Sequence, residues 1–96
     1  MQTIVIRGSR FENIKEIHEF LADALCFPDY YGKNLDALHD VLGELPRTEE
    51  VQFVVLFSGK MEENLTSKLE KLVMVLEDSA AENPNLQVIA ADEREE

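Results

Sequence analysis

Ninety-six residues, 45% of them apolar, suffice for one hydrophobic core and leave no length for a second domain. Twenty Asp and Glu against nine Lys and Arg give a formal charge of −11, a surface that repels phosphate backbones and anionic lipid, so direct nucleic-acid or membrane binding is not expected. One cysteine, Cys26, permits neither an internal disulfide nor a multi-cysteine zinc site, and no run approaches the ~18 apolar residues of a membrane span or has the form of a signal peptide, so a reducing cytoplasm is the expected location.

In chain order, residues 3–7 are short and β-branched and end at Gly8, a strand running into a turn. Asn13 stands as an N-cap with Glu16 three positions on. Ile14, Ile17, His18, Leu21 and Leu25 follow at helical spacing, predicting an amphipathic helix that ends before Pro28. Residues 27–33 carry Pro28 and Gly32 without a helical period, a loop leading to a second N-cap, Asn34. From there Leu35, Leu38, Val41, Leu42 and Leu45 predict a helix of about three turns stopped by Pro46. Residues 51–57 are a nearly unbroken apolar run, which predicts a central strand covered on both faces. After Ser58-Gly59, Leu65, Leu69, Leu72, Leu76 and Ala80 share one face of a long helix reaching Asn83-Pro84, with residues 60–63 either its first turn or a separate one. Residues 86–91 are a last strand, and 92–96 a charged tail that buries nothing. The order β-α-α-β-α-β, with the right-handed crossover rule, predicts an α/β fold: a small three-stranded parallel sheet packed with helices, one domain over residues 1–91.

Catalytic signals are scarce. There is no glycine-rich phosphate loop, no nucleophile elbow and no His-Glu-x-x-His helix, and an enzyme is not expected. His18, on the apolar face of its helix, reads as a core histidine. Cys26 has no basic neighbour or helix N-terminus to activate it and reads as a buried, inert thiol. The second helix is more informative, because Asp36 and Asp40 are centred opposite its leucine stripe. Like charges four apart repel by about 0.2–0.5 kcal/mol, and Asp is a poor former of helix interiors. Asp36 falls in the first turn, where the helix dipole favours an anion; Asp40 lies beyond that help, and no Lys or Arg stands in this helix, since Lys33 precedes the cap and Arg47 follows Pro46. A solvated carboxylate and a binding carboxylate fit Asp40 equally well. Of Tyr30 and Tyr31, one ring is expected to plug the core beneath the loop and the other to add aromatic area beside the acids. Gly32 is expected to supply a backbone angle other residues resist. Asp36, His39 and Asp40 lack a further ligand, so neither a metal nor a cofactor is expected.

The run Phe27-Pro28-Asp29-Tyr30-Tyr31-Gly32-Lys33-Asn34-Leu35-Asp36-Ala37-Leu38-His39-Asp40-Val41-Leu42 closely resembles the signature of the barstar family, intracellular protein inhibitors of secreted bacterial ribonucleases. The tyrosine pair, the glycine, the asparagine and the two aspartates four apart all match, preceded by Ile17-His18-x-x-Leu21; the second half matches mainly in pattern and is shorter after Gly59. The resemblance implies three parallel strands with helices on the sheet, and a one-to-one partner, a basic ribonuclease of the extracellular type, whose active site the acidic helix plugs in place of RNA phosphates. It implies that Asp40 inserts its carboxylate where the phosphate belongs and that Asp36 meets a basic side chain at the mouth. Tyr30 and Asn34 would then pack and hydrogen-bond at the edge, with Gly32 shaping the loop, and the last helix would add an acid, Asp78 or Glu77. The chain departs from the family at His39, where a tryptophan is common, and at Leu45, where another aromatic is, which leaves less aromatic area for an anchor. His39 borders the aspartate face and belongs to the expected interface. The alternative reading is a binding module on the same fold that neutralises another nuclease toxin or basic protein.

Overall fold

A computed structural model of the chain describes residues 1–45 and 49–93. Strands β1 (Gln2–Arg7), β2 (Val51–Phe57) and β3 (Leu86–Asp92) pair in parallel in the order β1-β2-β3, and helices α1 (Ile14–Leu25), α2 (Leu35–Gly43) and α3 (Glu63–Glu82) connect them. This is the predicted β-α-α-β-α-β order and the predicted α/β class. Pro46, invoked as the stop of α2, and residues 94–96 of the charged tail lie outside the described residues.

In a parallel ladder, paired residues point to the same side. The register sets Ile4 beside Phe53 and Val88, and Ile6 beside Val55 and Ala90. Ile4, Ile6, Val51, Phe53, Val55 and Leu86 are buried on that side, against Ile17 and Leu21 of α1, Leu38 and Leu42 of α2, and Leu69, Leu72 and Leu76 of α3. Each such side chain taken fully from water contributes about 1.5–3 kcal/mol before the entropy of ordering it is charged. The other side is different. Val5 is 41% and Ile89 47% exposed, with Val54 half-buried between them, so the expectation that β2 is covered on both faces is corrected. The reason is topological: each new strand is added on the same side of its predecessor, so right-handed crossovers carry every connecting helix to one face of the sheet.

Local chemistry fixes the helix ends. The Glu16 N–H donates to Asn13 Oδ1 (3.0 Å), while Glu16 Oε1 accepts from the Glu12 N–H (2.6 Å), one residue before the cap. At the far end of α1, Cys26 takes the left-handed conformation (φ 56°, ψ 48°) and its N–H donates to Ala22 O. That C-cap turns its side chain outward, so Cys26 is exposed and not the buried thiol expected. Residues 59–61 form a turn ahead of α3, whose N-cap is Glu62. Met61 packs over Gly8, the residue after β1, so closely that a Cβ there would stand 2.5 Å from its sulfur and would require the Met61 side chain to shift. The last strand runs one residue further than expected, to Asp92, and Glu93 is engaged: its carboxylate accepts from Arg7 (3.1 Å) and from the Ser9 hydroxyl (2.8 Å). Among the described residues, no helix is long and apolar enough to cross a membrane.

Candidate functional site

The site is built on α2, nine residues long and too short to be stable alone. Two features hold it. Leu38, Val41 and Leu42 are buried in the core, and Asn34 caps the first turn, its Oδ1 accepting from the Ala37 N–H (2.8 Å). With that face buried, the helical period forces Asp36 and Asp40 outward, and both are exposed. Neither makes an ion pair among the described residues. Asp36 sits in the first turn, favourably for the helix dipole; α2 ends at Gly43, so Asp40 sits in the last turn, where the dipole opposes an anion.

The loop before α2 sorts the two tyrosines. Tyr31 is buried, its hydroxyl 2.5 Å from Nδ1 of buried His18 and its ring 4.9 Å from that of Phe27 in an edge-on contact. Tyr30 is 78% exposed beside the acidic helix. One ring plugs the core and one faces solvent, as expected, and His18 is the core histidine its position suggested. Burial pushes the Tyr31 phenol up to about 12 and lowers the His18 imidazole. Gly32 differs from expectation, because its φ is not positive. The left-handed residue is its neighbour Lys33 (φ 53°), whose Nζ reaches Glu19 of α1 (3.3 Å). What Gly32 supplies is room: a Cβ there would stand 3.1 Å from Asn34 Nδ2, which donates to Gly32 O (3.3 Å).

Helix α3 extends the acidic surface. His39 does not pair with Asp36 or Asp40; its Nε2 lies 3.7 Å from Oε2 of Glu82 across the α2–α3 contact. Glu82 thus marks the flank of α3 that faces α2. Asp78, four residues earlier, is about 40° from it around the helix, whereas Glu77 is about 140° away. Of the two candidates on α3, Asp78 therefore belongs to the α2 side and Glu77 does not. Glu82 itself escaped the sequence reading, although its i+4 relation to Asp78 was there to be seen. Asp36 and Asp40 form an acidic ridge along α2 with exposed Tyr30 in the loop before it, and the exposed acids Asp78 and Glu82 lie on the flank of α3 toward α2. The residues stand out from the helix layer, while a hollow of about 530 Å³, lined by residues such as Gly8, Phe11 and Met61, lies elsewhere, over the turn after β1. An outward array of carboxylates is suited to entering a basic cleft on another molecule. Among the described residues, no group of three or more His, Cys, Asp or Glu is placed to hold a metal ion.

The family described as "Barstar (barnase inhibitor)" matches residues 1–93. A Bacillus subtilis (strain 168) protein named "Putative ribonuclease inhibitor YrdF" is 39% identical over 84 residues, covering 81% of this chain and 92% of that protein.

Proposed function

The chain belongs to the barstar family, and from that premise we propose that it is a protein inhibitor of a ribonuclease rather than an enzyme. Its partner is a basic nuclease of the secreted type, bound one-to-one in the cytoplasm before export. The observation that carries the reading is the pair Asp36 and Asp40: two exposed carboxylates on one face of a capped helix, without an ion-pair partner among the described residues, beside an exposed tyrosine. Asp40 takes the place of an RNA phosphate among the nuclease's Arg, Lys and His side chains, and Asp36 meets a cation at the mouth. Asp78 continues the contact from α3, and Tyr30, Asn34 and His39 close its edge. Because the ridge is fixed by the core and the Asn34 cap before the partner arrives, little order has to be gained on binding.

The test immobilises the protein and its Asp40→Ala variant, captures basic proteins from the nuclease-secreting source cells, and assays the eluates for RNA cleavage with and without added inhibitor. A nuclease retained by the wild type, lost from the variant and silenced by stoichiometric protein supports the reading. A nuclease or other basic protein captured without loss of its activity would instead favour a neutralising module of different specificity.

A further inference from the structure

The loop that presents Tyr30 is held from beneath at a buried polar point, the contact between His18 and Tyr31. Residues 28–31 close a turn in which the Tyr31 N–H donates to Pro28 O (3.0 Å), and the Tyr31 side chain runs down to His18 of α1. The aromatic ring of Phe27 braces it on one side. An apolar pair of the same size would also fill this space but would leave the Tyr31 ring free to shift, whereas a hydrogen bond to one ring nitrogen fixes its reach and rotation. Tyr30 is the third residue of that turn, exposed and directly joined to the held Tyr31, and three residues after Tyr31 the Asn34 cap begins the helix that carries Asp36 and Asp40.

We propose that His18 is a positioning residue for partner binding, acting through the Tyr31 hydroxyl to hold the 28–34 loop and the start of α2 in the geometry that the acidic ridge requires. The proposal rests on the ribonuclease-inhibitor reading for its biological sense, but the clasp itself belongs to the free protein. The titratable group facing His18 is Tyr31, from the loop. On α1, Lys15 and Glu19 are exposed, and Glu19 is turned to Lys33; in the loop Asp29 is exposed. On α2, Asp36 and Asp40 are exposed and His39 is directed to Glu82, and on α3 Lys68 and Lys71 are exposed. Among the described residues no carboxylate forms an ion pair with His18, and desolvation is what disfavours its imidazolium. Protonation would make both ring nitrogens donors in a dry site and would loosen the loop as the pH falls below the ordinary histidine range.

The experiment compares amide hydrogen exchange in free wild type, Tyr31→Phe and His18→Gln, together with inhibition of the captured nuclease. Tyr31→Phe keeps the ring and removes the bond. It is expected to speed exchange of the residue 31 and Ala37 amides by about tenfold, with the Phe53 and Leu72 amides changing far less, and to weaken inhibition by a similar factor through faster dissociation. In wild type the same two amides should loosen progressively as the pH falls below the ordinary histidine value of about 6.5, after correction for intrinsic exchange, and in His18→Gln, which offers a partner without a titrating charge, they should not. Loop exchange unaltered by Tyr31→Phe, or accelerated equally in β2 and α3, would overturn the proposal, as would identical pH profiles for wild type and His18→Gln. Selective loosening in a protein that inhibits no ribonuclease would support the clasp and reject the ribonuclease reading.

Discussion

Removing the Asp40 carboxylate separates the two demands made on α2. In Asp40→Ala the helix exchanges a poor interior former for the best one, worth up to about 0.7 kcal/mol. It also loses an i, i+4 repulsion with Asp36 of about 0.2–0.5 kcal/mol. A further gain of about 0.3 kcal/mol comes from taking an anion out of the last turn before Gly43, where the dipole opposes it. Nothing offsets these gains, since Asp40 is exposed and makes no ion pair among the described residues. The free variant is therefore expected to be more stable by about 1 kcal/mol, a rise in melting temperature of about 4–8 °C for a chain of this size. Binding is expected to move the other way. A central carboxylate withdrawn from a cationic cleft leaves the partner's charges buried without a counter-charge, at a cost of at least about 2 kcal/mol, or roughly 30-fold in affinity, the general scale of hot-spot carboxylates, the family's prototype pair among them. Scanning calorimetry on the free protein and titration calorimetry against the captured nuclease read the two effects. Affinity within error of wild type would refute the assignment of Asp40, and a lower melting temperature would refute the account of α2.

Asn34→Ala removes the cap of a helix that cannot stand alone and is expected to cost about 1 kcal/mol of stability, readable as a lower urea midpoint; an unchanged midpoint would mean that core contacts alone hold α2. If the ridge steers encounter, the association rate should fall steeply in stopped flow as the screening length shrinks from about 10 Å at 0.1 M salt to about 3 Å at 1 M, with dissociation changing less; a flat association rate would remove steering from the mechanism. Stability should also fall at both pH extremes. Burial depresses His18, so an unfolded chain takes a proton below about pH 6.5 that the folded one resists, and stability present above that pH is lost as the pH falls through the folded value. Tyr31 is raised from 10.0 to about 12, so its contribution is whole below pH 10 and lost as the pH rises toward 12. Denaturant melts of wild type against His18→Gln and Tyr31→Phe check each side, and parallel curves would show that neither group is responsible.

Most of the scaffold could be read from periodicity because the forces that set it are local or strongly patterned. Asn13 and Asn34 are caps whose partners lie three residues away, and the stripes of α1 and α2 leave one side for the core. The outward direction of Asp36 and Asp40 follows from the same stripe. What could not be read depends on tertiary placement. Nothing in the chain around Tyr30 and Tyr31 says which ring turns inward; the Nδ1 of His18, thirteen residues earlier, decides it. Which of Asp78 and Glu77 lies toward α2 depends on the approach of α3 to α2, which the contact between His39 and Glu82 reveals. Cys26 was misplaced because its composition says nothing of a left-handed C-cap, and Gly32 because the strained angle falls on Lys33 instead. The open face of β2 was missed because an apolar run shows that a strand is central, not how many layers cover it.

The strand order also sets a timetable. Gln2 pairs with Val51, about 50 residues later in the chain, and Val51 in turn with Leu86. A ribosome adding about 5–20 residues per second therefore leaves β1 without a neighbour for roughly 2.5–10 s, and α2 emerges in that interval with no sheet to pack against. The surface that carries Asp36 and Asp40 is thus complete only once the second half of the chain has been made. If its task is to restrain a nuclease produced in the same cell, each new molecule is late by at least those seconds, and protection rests on a standing pool made in advance of the enzyme.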